Sequence, residues 1–338
     1  MHPNLTILKN SDRAKFNEAY HNLVSNYKYF SSLYSPMNLS YYRQISLDNG
    51  WNINDKSFII FFEGKPFFGF LGALLTKNNE SKISAFELPA VFLESRIISR
   101  GQKKIIQAKV RNIIDEAKFS KSSFTDYLYK GNMSTATESL LQYDHCRYNL
   151  LFSRYIDLTI SEKEIWSSIR KSYCSLINNG SRDLTLKIYS SDNISWNVIE
   201  EFRRLHIKVS GRETRTLASW ENQFKSIKAG ETFCVSGYLE SELVTAGLFT
   251  YYSGHCYYGV SASRRDMFDR PLFHALLWKA IQHAKAIGLN TFETGIDYPS
   301  DNFLVSKNIS NKEKSIASFK RGYGGKIQPR ISFELNGL

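Results

Sequence analysis

The sequence predicts an α+β protein of two similarly ordered halves, residues 1–158 and 159–338. Three observations carry that reading. Each half runs as a meander of strands, an amphipathic helix and a returning strand, a repeat of architecture rather than of residues. The chain has 338 residues, enough for two cores. A marked helix start separates the halves: Ser161 and Glu164 have capping-box spacing, and Ile160 and Ile165 stand at the positions of a hydrophobic staple.

In the first half, a helix is expected around Ala14 to Ser25, and Met37 to Trp51 shows no clear pattern. Ser57 to Phe62 and Phe67 to Leu75 are rich in strand formers and are joined by a turn at Glu63 to Pro66, which predicts a hairpin. A third strand is expected over Lys82 to Phe86. Ile105, Ile106, Val110, Ile113 and Ile114 then recur at helical spacing within Gln102 to Ala117. Strands over Phe124 to Tyr129 and Tyr148 to Leu158 complete the expected sheet.

The second half opens with a helix from the capping box to Asn178, Asn179 and Gly180. Leu184, Leu186 and Ile188 alternate with polar residues as a half-buried strand does. Two amphipathic helices follow, one ending at Gly211 and one at Gly230. Thr232 to Leu239, Leu243 to Tyr252 and His255 to Ala262 read as three strands, the last two joined by a Ser253, Gly254 turn. A helix from Pro271 to Gly288 and a strand from Thr291 to Gly295 close the repeat. Two packed domains with a shared groove are expected.

Composition narrows the function classes. Lys and Arg number 44 against 32 Asp and Glu, a formal charge of +12 that favours phosphate-bearing or otherwise anionic partners. No apolar run approaches bilayer length and the start MHPNLTILKNSDR lacks a leader pattern, so a cytoplasmic location without membrane insertion is expected. Cys146, Cys174, Cys234 and Cys256 are scattered, without metal-ligand spacing, so reduced thiols and no metal or redox cofactor are expected.

The densest cluster of unusual residues is SIASFKRGYGGK, Ser315 to Lys326. Lys320 and Arg321 offer donors to an anion or developing oxyanion, and Gly322, Gly324 and Gly325 free the backbone for close approach to a ligand. The same residues also suit the solvated end of a helix through Ile316 and Phe319, with Gly322 as its cap.

The IGLN loop, TFETG strand and SFKRGYGG segment, preceded by the AGLFTYYSGHCYYGVSAS hairpin and the LLWKAIQHAKAIG helix, resemble the FemAB family of non-ribosomal peptidyltransferases. The resemblance is strongest from Trp166 to Pro329; in the first half it rests on element order. It implies two tandem GNAT-like domains, of the acyl-CoA N-acyltransferase fold, each a mixed sheet flanked by helices. It also implies an acyltransferase that moves an aminoacyl or acyl group onto an amine of a cell-envelope precursor, a peptidoglycan peptide or a nucleotide-linked amino sugar. The donor would be aminoacyl-tRNA; acyl-CoA or acyl carrier protein in surface polysaccharide biosynthesis is the alternative. A non-catalytic binder of RNA or anionic polysaccharide is a reading of a different class.

By its place in the segment, Lys320 matches the family's lysine near the reacting carbonyl, and Phe319 would wall the donor. Arg321 and Tyr323 fall to substrate binding with them. For a base, TFETGIDYP offers Glu293 and Asp297, with Asp297 preferred because it lies beyond the strand and near the expected groove; either acid would equally suit pairing with a surface lysine, and substrate-assisted transfer without a protein base is the alternative. His206, Arg212, Thr214, Arg215 and Trp220, in and around GRETR, suit an acceptor-facing phosphate or carboxylate site. Paired with Glu200 or Glu201, the same arginines would merely close an interhelical turn. Arg170 and Lys171 form a further basic patch, for an anion or simply solvated. One departure bears on the donor. A CoA pyrophosphate loop needs glycines, yet SRRDMFDRP has Phe268 and Arg270 where they are expected, and ESRIISRGQ is no closer.

Overall fold

The computed structural model describes residues 5–95, 98–116, 119–128, 131–299 and 309–337. In chain order the elements are β1 (Leu5–Lys9), α1 (Arg13–Val24), α2 (Pro36–Asp48), β2 (Asn52–Asp55), β3 (Phe58–Phe62), β4 (Lys65–Leu71), β5 (Ala73–Lys77), β6 (Glu80–Ser84) and β7 (Ala90–Glu94). There follow α3 (Arg100–Glu116), β8 (Lys121–Asp126), α4 (Thr135–Leu140), β9 (Cys146–Asp157), α5 (Glu162–Ser167), α6 (Lys171–Asp183), β10 (Thr185–Tyr189), α7 (Trp196–Ser210) and α8 (Leu217–Lys228). The chain closes with β11 (Thr232–Leu239), β12 (Glu242–Tyr252), β13 (His255–Ser263), α9 (Leu272–Ala286), β14 (Thr291–Asp297), α10 (Asn311–Arg321) and β15 (Lys326–Asn336).

Two compact units emerge, and a single cut after residue 158 does not describe them. The first takes 1–30, 42–151 and 329–338; the second takes 31–41 and 152–328. Residues 31–41 join the second unit through hydrogen bonds: Ser32 Oγ donates to the Thr250 carbonyl at 3.1 Å and the Met37 N–H to Glu231 Oε2 at 2.9 Å. Residues 329–338 belong to the first because Ile331 to Asn336 of β15 pair antiparallel with β8.

Within the first unit the sheet order is β1-β3-β4-β7-β8-β15, and in the second β10-β11-β12-β13-β14-β9. The two follow one plan. In each, a single parallel pair among the described strands, β7 with β8 or β13 with β14, is linked through a helix, α3 or α9. Every other pair within these orders is antiparallel, and β15 or β9 flanks the parallel pair.

Several expectations change in the first half. The strand expected over Phe67 to Leu75 breaks at Gly72, where a Cβ would lie 2.4 Å from the Phe70 ring. Its second part, β5, pairs with β2 and β6 in a separate three-stranded sheet. The strand expected at Lys82 to Phe86 therefore leaves the meander, whose third member is β7. Met37 to Trp51, unpatterned in sequence, is mostly helix α2. The expected ends at Ala117 and Tyr129, and part of ESRIISRGQ, lie outside the described residues.

Cores follow from this plan. In the first unit the Phe68, Phe92 and Phe124 rings stack in succession, at 5.8 and 5.6 Å between centroids, with Ile106 and Val110 of α3 in the same cluster. In the second, α9 buries Leu276, Leu277 and Ile281 with Phe292 of β14, while Phe202 of α7 and Trp220 of α8 pack against Cys234 and Leu248. All four cysteines are free thiols, and burial raises the pKa of Cys234 and Cys256.

The helix expected from Ser161 to Gly180 is two helices. The capping box forms as predicted, but α5 ends at Ser167, and Arg170 takes extended backbone angles (φ −52°, ψ 129°) before α6 begins. Gly180 ends nothing. It lies inside α6, where a Cβ would come within 2.9 Å of the Ala275 Cβ, so the missing side chain lets α6 lie close against α9.

Phe124→Ala is expected to cost about 3–5 kcal/mol through the cavity left in the ring stack. Chemical denaturation of the variant beside the parent protein measures it.

Candidate active site

Parallel pairing of β13 with β14 covers only His255–Tyr257 against Thr291–Glu293. Beyond it β14 bulges against β9 between Glu293 and Gly295, and Gly295 adopts φ +101°, a conformation that side chains disfavour. Helix α10, started by a Ser310 and Glu313 capping box, brings Lys320 to this point in its last turn. The Lys320 Nζ lies 2.6 Å from where a Gly295 Cβ would be and 5.6 Å from the centroid of the Tyr258 ring. Glycine at 295 thus makes the space the ammonium occupies.

Burial lowers the pKa of Lys320, and the charges of Glu293 and Asp297 partly oppose that shift. Glu293 is 2% exposed, and its Oε2 has no hydrogen-bond partner among the described residues. An unpaired buried carboxylate oxygen is costly to keep unless something else uses it. Together these residues can hold an ammonium, accept its proton and donate to an oxyanion.

Asp297, the base preferred from sequence, is built differently. It is wholly buried, its Oδ2 accepts from Arg154 Nε at 2.6 Å, and its Oδ1 accepts from Arg321 Nη2 at 2.8 Å and the Tyr298 N–H at 2.7 Å. Burial alone would raise its pKa, but the Arg321, Tyr298 and Arg154 hydrogen bonds and the Arg154 charge hold it below the usual carboxylate range. An acid so paired is a poor proton acceptor. The same contact assigns Arg321 to Asp297 rather than to a free anion.

The glycines of FKRGYGG serve packing. A Cβ at Gly322 would meet the Tyr173 ring at 2.2 Å, one at Gly324 the Ser168 Oγ at 2.3 Å, and one at Gly325 the Tyr155 carbonyl oxygen at 2.5 Å. What the main chain approaches here is the α5–α6 break and β9. The Arg170 N–H, freed by that break, donates to the Gly322 carbonyl at 2.8 Å. Gly322 does cap α10, in the right-handed helical region, and Gly324 and Gly325 carry the positive φ angles.

Tyr323 is fully buried, and its hydroxyl donates to the His274 carbonyl at 2.9 Å, so it is core rather than a substrate contact. Phe319 is half-buried among Tyr173, His274, Phe273 and Tyr323, one residue before Lys320. Arg170 lies over the Tyr173 ring at 5.0 Å, while Lys171 is simply exposed in the first turn of α6.

Around GRETR, Arg215 is braced from two sides, its Nε donating to Tyr41 Oη at 2.8 Å and its Nη1 to His206 Nε2 at 2.9 Å. Burial and the Arg215 charge lower the His206 pKa, which fits a neutral ring accepting that bond. Trp220 is 1% exposed and packs edge-on to Phe202, a core role in place of the expected ligand contact. Arg212 and Thr214 are exposed. Arg203 and Arg204, not the GRETR arginines, pair with Glu200, and Arg203 also holds Glu213.

In the SRRDMFDRP loop Arg264 is committed to Glu242 and Asp266. Arg265, Phe268 and Arg270 are exposed. At the matching strand ends of the first unit, Glu94 accepts the Thr135 and Ala136 N–H groups, and Asp126 those of Leu128 and Ser134. There both acids hold the chain around α4 in place. Among the described residues no His, Cys, Asp and Glu group could hold a metal ion, and no helix is long and apolar enough to cross a membrane.

No family model matches the sequence, and no curated protein sequence is significantly similar to it. Solved structures do match. FemX aligns at a TM-score of 0.67 over 94% of this chain and 95% of its own, with 11% identity. The C-terminal domain (DUF2156) of a putative lysylphosphatidylglycerol synthetase from Agrobacterium fabrum aligns at 0.58 over 96% and 93%, with 11% identity. A tandem GNAT protein from the clavulanic acid biosynthesis pathway aligns at 0.50 over 99% and 98%, with 10% identity. The fold is accordingly the tandem GNAT fold, as the FemAB resemblance implies.

Gly295→Ala is expected to lower stability by about 1–3 kcal/mol, since it combines a strained φ with a collision at Lys320. The shift of its thermal midpoint against the parent checks this, and an unchanged midpoint would mean Lys320 lies elsewhere.

Proposed function

We propose that the protein is an N-acyltransferase whose reaction takes place where β13 and β14 part. The observation that carries this is the half-buried Lys320 set against Gly295, beside a buried carboxylate, Glu293, with an unpartnered oxygen. In the reaction, the acceptor ammonium gives a proton to Glu293, and the neutral amine attacks the donor's carbonyl carbon. The C–N bond forms as the carbonyl oxygen takes the negative charge, which Lys320 stabilises by hydrogen bonding. Collapse then breaks the bond to the carrier, whose oxygen or sulfur leaves with the electron pair and takes up the second proton, which the attacking nitrogen, positively charged since the C–N bond formed, gives up.

Aminoacyl-tRNA is the donor we favour, with the protein acting in the cytoplasm. The similarity to FemX and to a protein named as a lysylphosphatidylglycerol synthetase supports aminoacyl transfer, as does the charge of +12. The loop before α9 argues against a CoA pyrophosphate, since it lacks glycines and its Arg264 is already paired. The acceptor is an amine of a cell-envelope precursor, a peptidoglycan peptide or a nucleotide-linked amino sugar. Arg215, held in place by Tyr41 and His206, is the residue we assign to the acceptor's phosphate or carboxylate. Phe319 walls the donor side.

Lys320→Ala is expected to lower turnover more than about 100-fold with the fold intact, as for loss of a transition-state donor. Steady-state transfer from charged tRNA, acyl-CoA and acyl carrier protein, each offered separately, checks both claims. Transfer from acyl-CoA alone would sink the tRNA version, and full turnover in the variant would remove Lys320 from the chemistry.

A further inference from the structure

Three elements meet at one carboxylate that the proposed reaction does not use. Asp297 at the end of β14 receives Arg154 from β9 and Arg321 from α10. Arg154 also donates through Nη1 to the carbonyls of Gly324 and Gly325, at 3.1 and 2.7 Å, and Arg321 through Nη2 to that of Tyr298 at 3.0 Å. Arg321 directly follows Lys320, and Gly324 and Gly325 form the turn by which the chain leaves α10. The C-terminal end of α10 and the turn that follows it are therefore tied to the same buried anion, Arg321 directly and Gly324 and Gly325 through Arg154.

We propose that Asp297 is a positioning residue: by clamping Arg321 and Arg154 it fixes the final turn of α10 and so sets where the Lys320 ammonium lies. The importance of that place rests on the acyl-transfer reading; the clamp itself does not. The place tolerates little displacement, because the Lys320 Nζ lies in the space that the missing Gly295 side chain leaves. Among the described residues, Glu293 and Asp297 from β14 act on the ammonium by charge, Tyr258 of β13 lies under it, Tyr257 of β13 reaches the same space beside Gly295, and Arg154 of β9 and Arg321 of α10 pair with that Asp297. Of these, Arg321 can be changed with least disturbance, since its side chain is 41% exposed.

Trace acetylation of the protein with acetic anhydride, read by mass spectrometry of the peptide containing Lys320 from neutral to alkaline pH, tests the clamp without any substrate. In Arg321→Gln the last turn is released, Lys320 gains water, and its titration midpoint is expected to rise by about one unit, tenfold in its proton affinity. An unchanged midpoint in the folded variant would overturn the proposal. Where turnover is measurable, Asp297→Asn and Arg321→Gln should each lower kcat by about tenfold with KM held within about twofold. The double variant should be no worse than the poorer single one, because both cut the same connection. Additive losses would also overturn it. A shifted Lys320 midpoint together with full turnover in Lys320→Ala would uphold the clamp and sink acyl transfer at this site. Should Asp297→Asn not fold, the labelling of Arg321→Gln decides alone.

Discussion

The second unit depends on one buried charge satisfied three ways. Asp297 has no solvent exposure, so its charge is tolerable only because two guanidinium groups and a backbone N–H meet it. Removing one partner from such an arrangement commonly costs about 3–5 kcal/mol, because an uncompensated ion is left behind. The arrangement is also directional. It joins β9, β14, α10 and the glycine turn at the place where the parallel strands stop pairing, and a lysine is held there.

The candidate site lies where the parallel strands of the second unit stop pairing. Here the parting is local: β13 and β14 stay paired through Tyr257 and Glu293, then the bulge at Gly295 turns β14 away. Lys320 enters from α10, not from the sheet. Its lowered pKa and the unpaired Glu293 oxygen suit proton exchange and oxyanion binding. In the first unit Glu94 at the end of β7 and Asp126 at the end of β8 accept backbone N–H groups, whereas in the second Glu293 of β14 keeps one oxygen without a hydrogen-bond partner among the described residues.

Much of the fold was legible because periodicity reports burial directly. Helices α3, α7, α8 and α9 and strands β11 to β13 stand where their apolar spacing put them. The misreadings have local causes. β4 and β5 form one continuous apolar run, and nothing in it but Gly72 says that the chain changes sheets. α5 and α6 share a helical pattern across Ser168 to Arg170, and the chain that packs against the break, at Gly322 and Gly324, lies about 150 residues away in sequence, where no local pattern reports it. Gly180 reads as a stop by itself, but its lack of a side chain is used by α9.

The site was legible in residue type and less so in role. Lys320 and Glu293 act on each other by charge, and the two segments that carry them, SFKRGYGG and TFETG, are both conspicuous in the sequence. Asp297, Trp220 and Tyr323 look like catalytic or ligand contacts in the sequence, whereas partners in other elements occupy them: Arg154 for Asp297, Phe202 for Trp220 and the His274 carbonyl for Tyr323. The bracing of Arg215 by Tyr41 carried no sequence signal, since the two are 174 positions apart. The most direct test of the central claim is a crystal structure with a non-hydrolysable, amide-linked aminoacyl-nucleotide bound. The aminoacyl carbonyl oxygen is expected within hydrogen-bonding distance of Lys320 Nζ, between β13 and β14. A carbonyl bound elsewhere, with Lys320 still buried against Gly295, would contradict it.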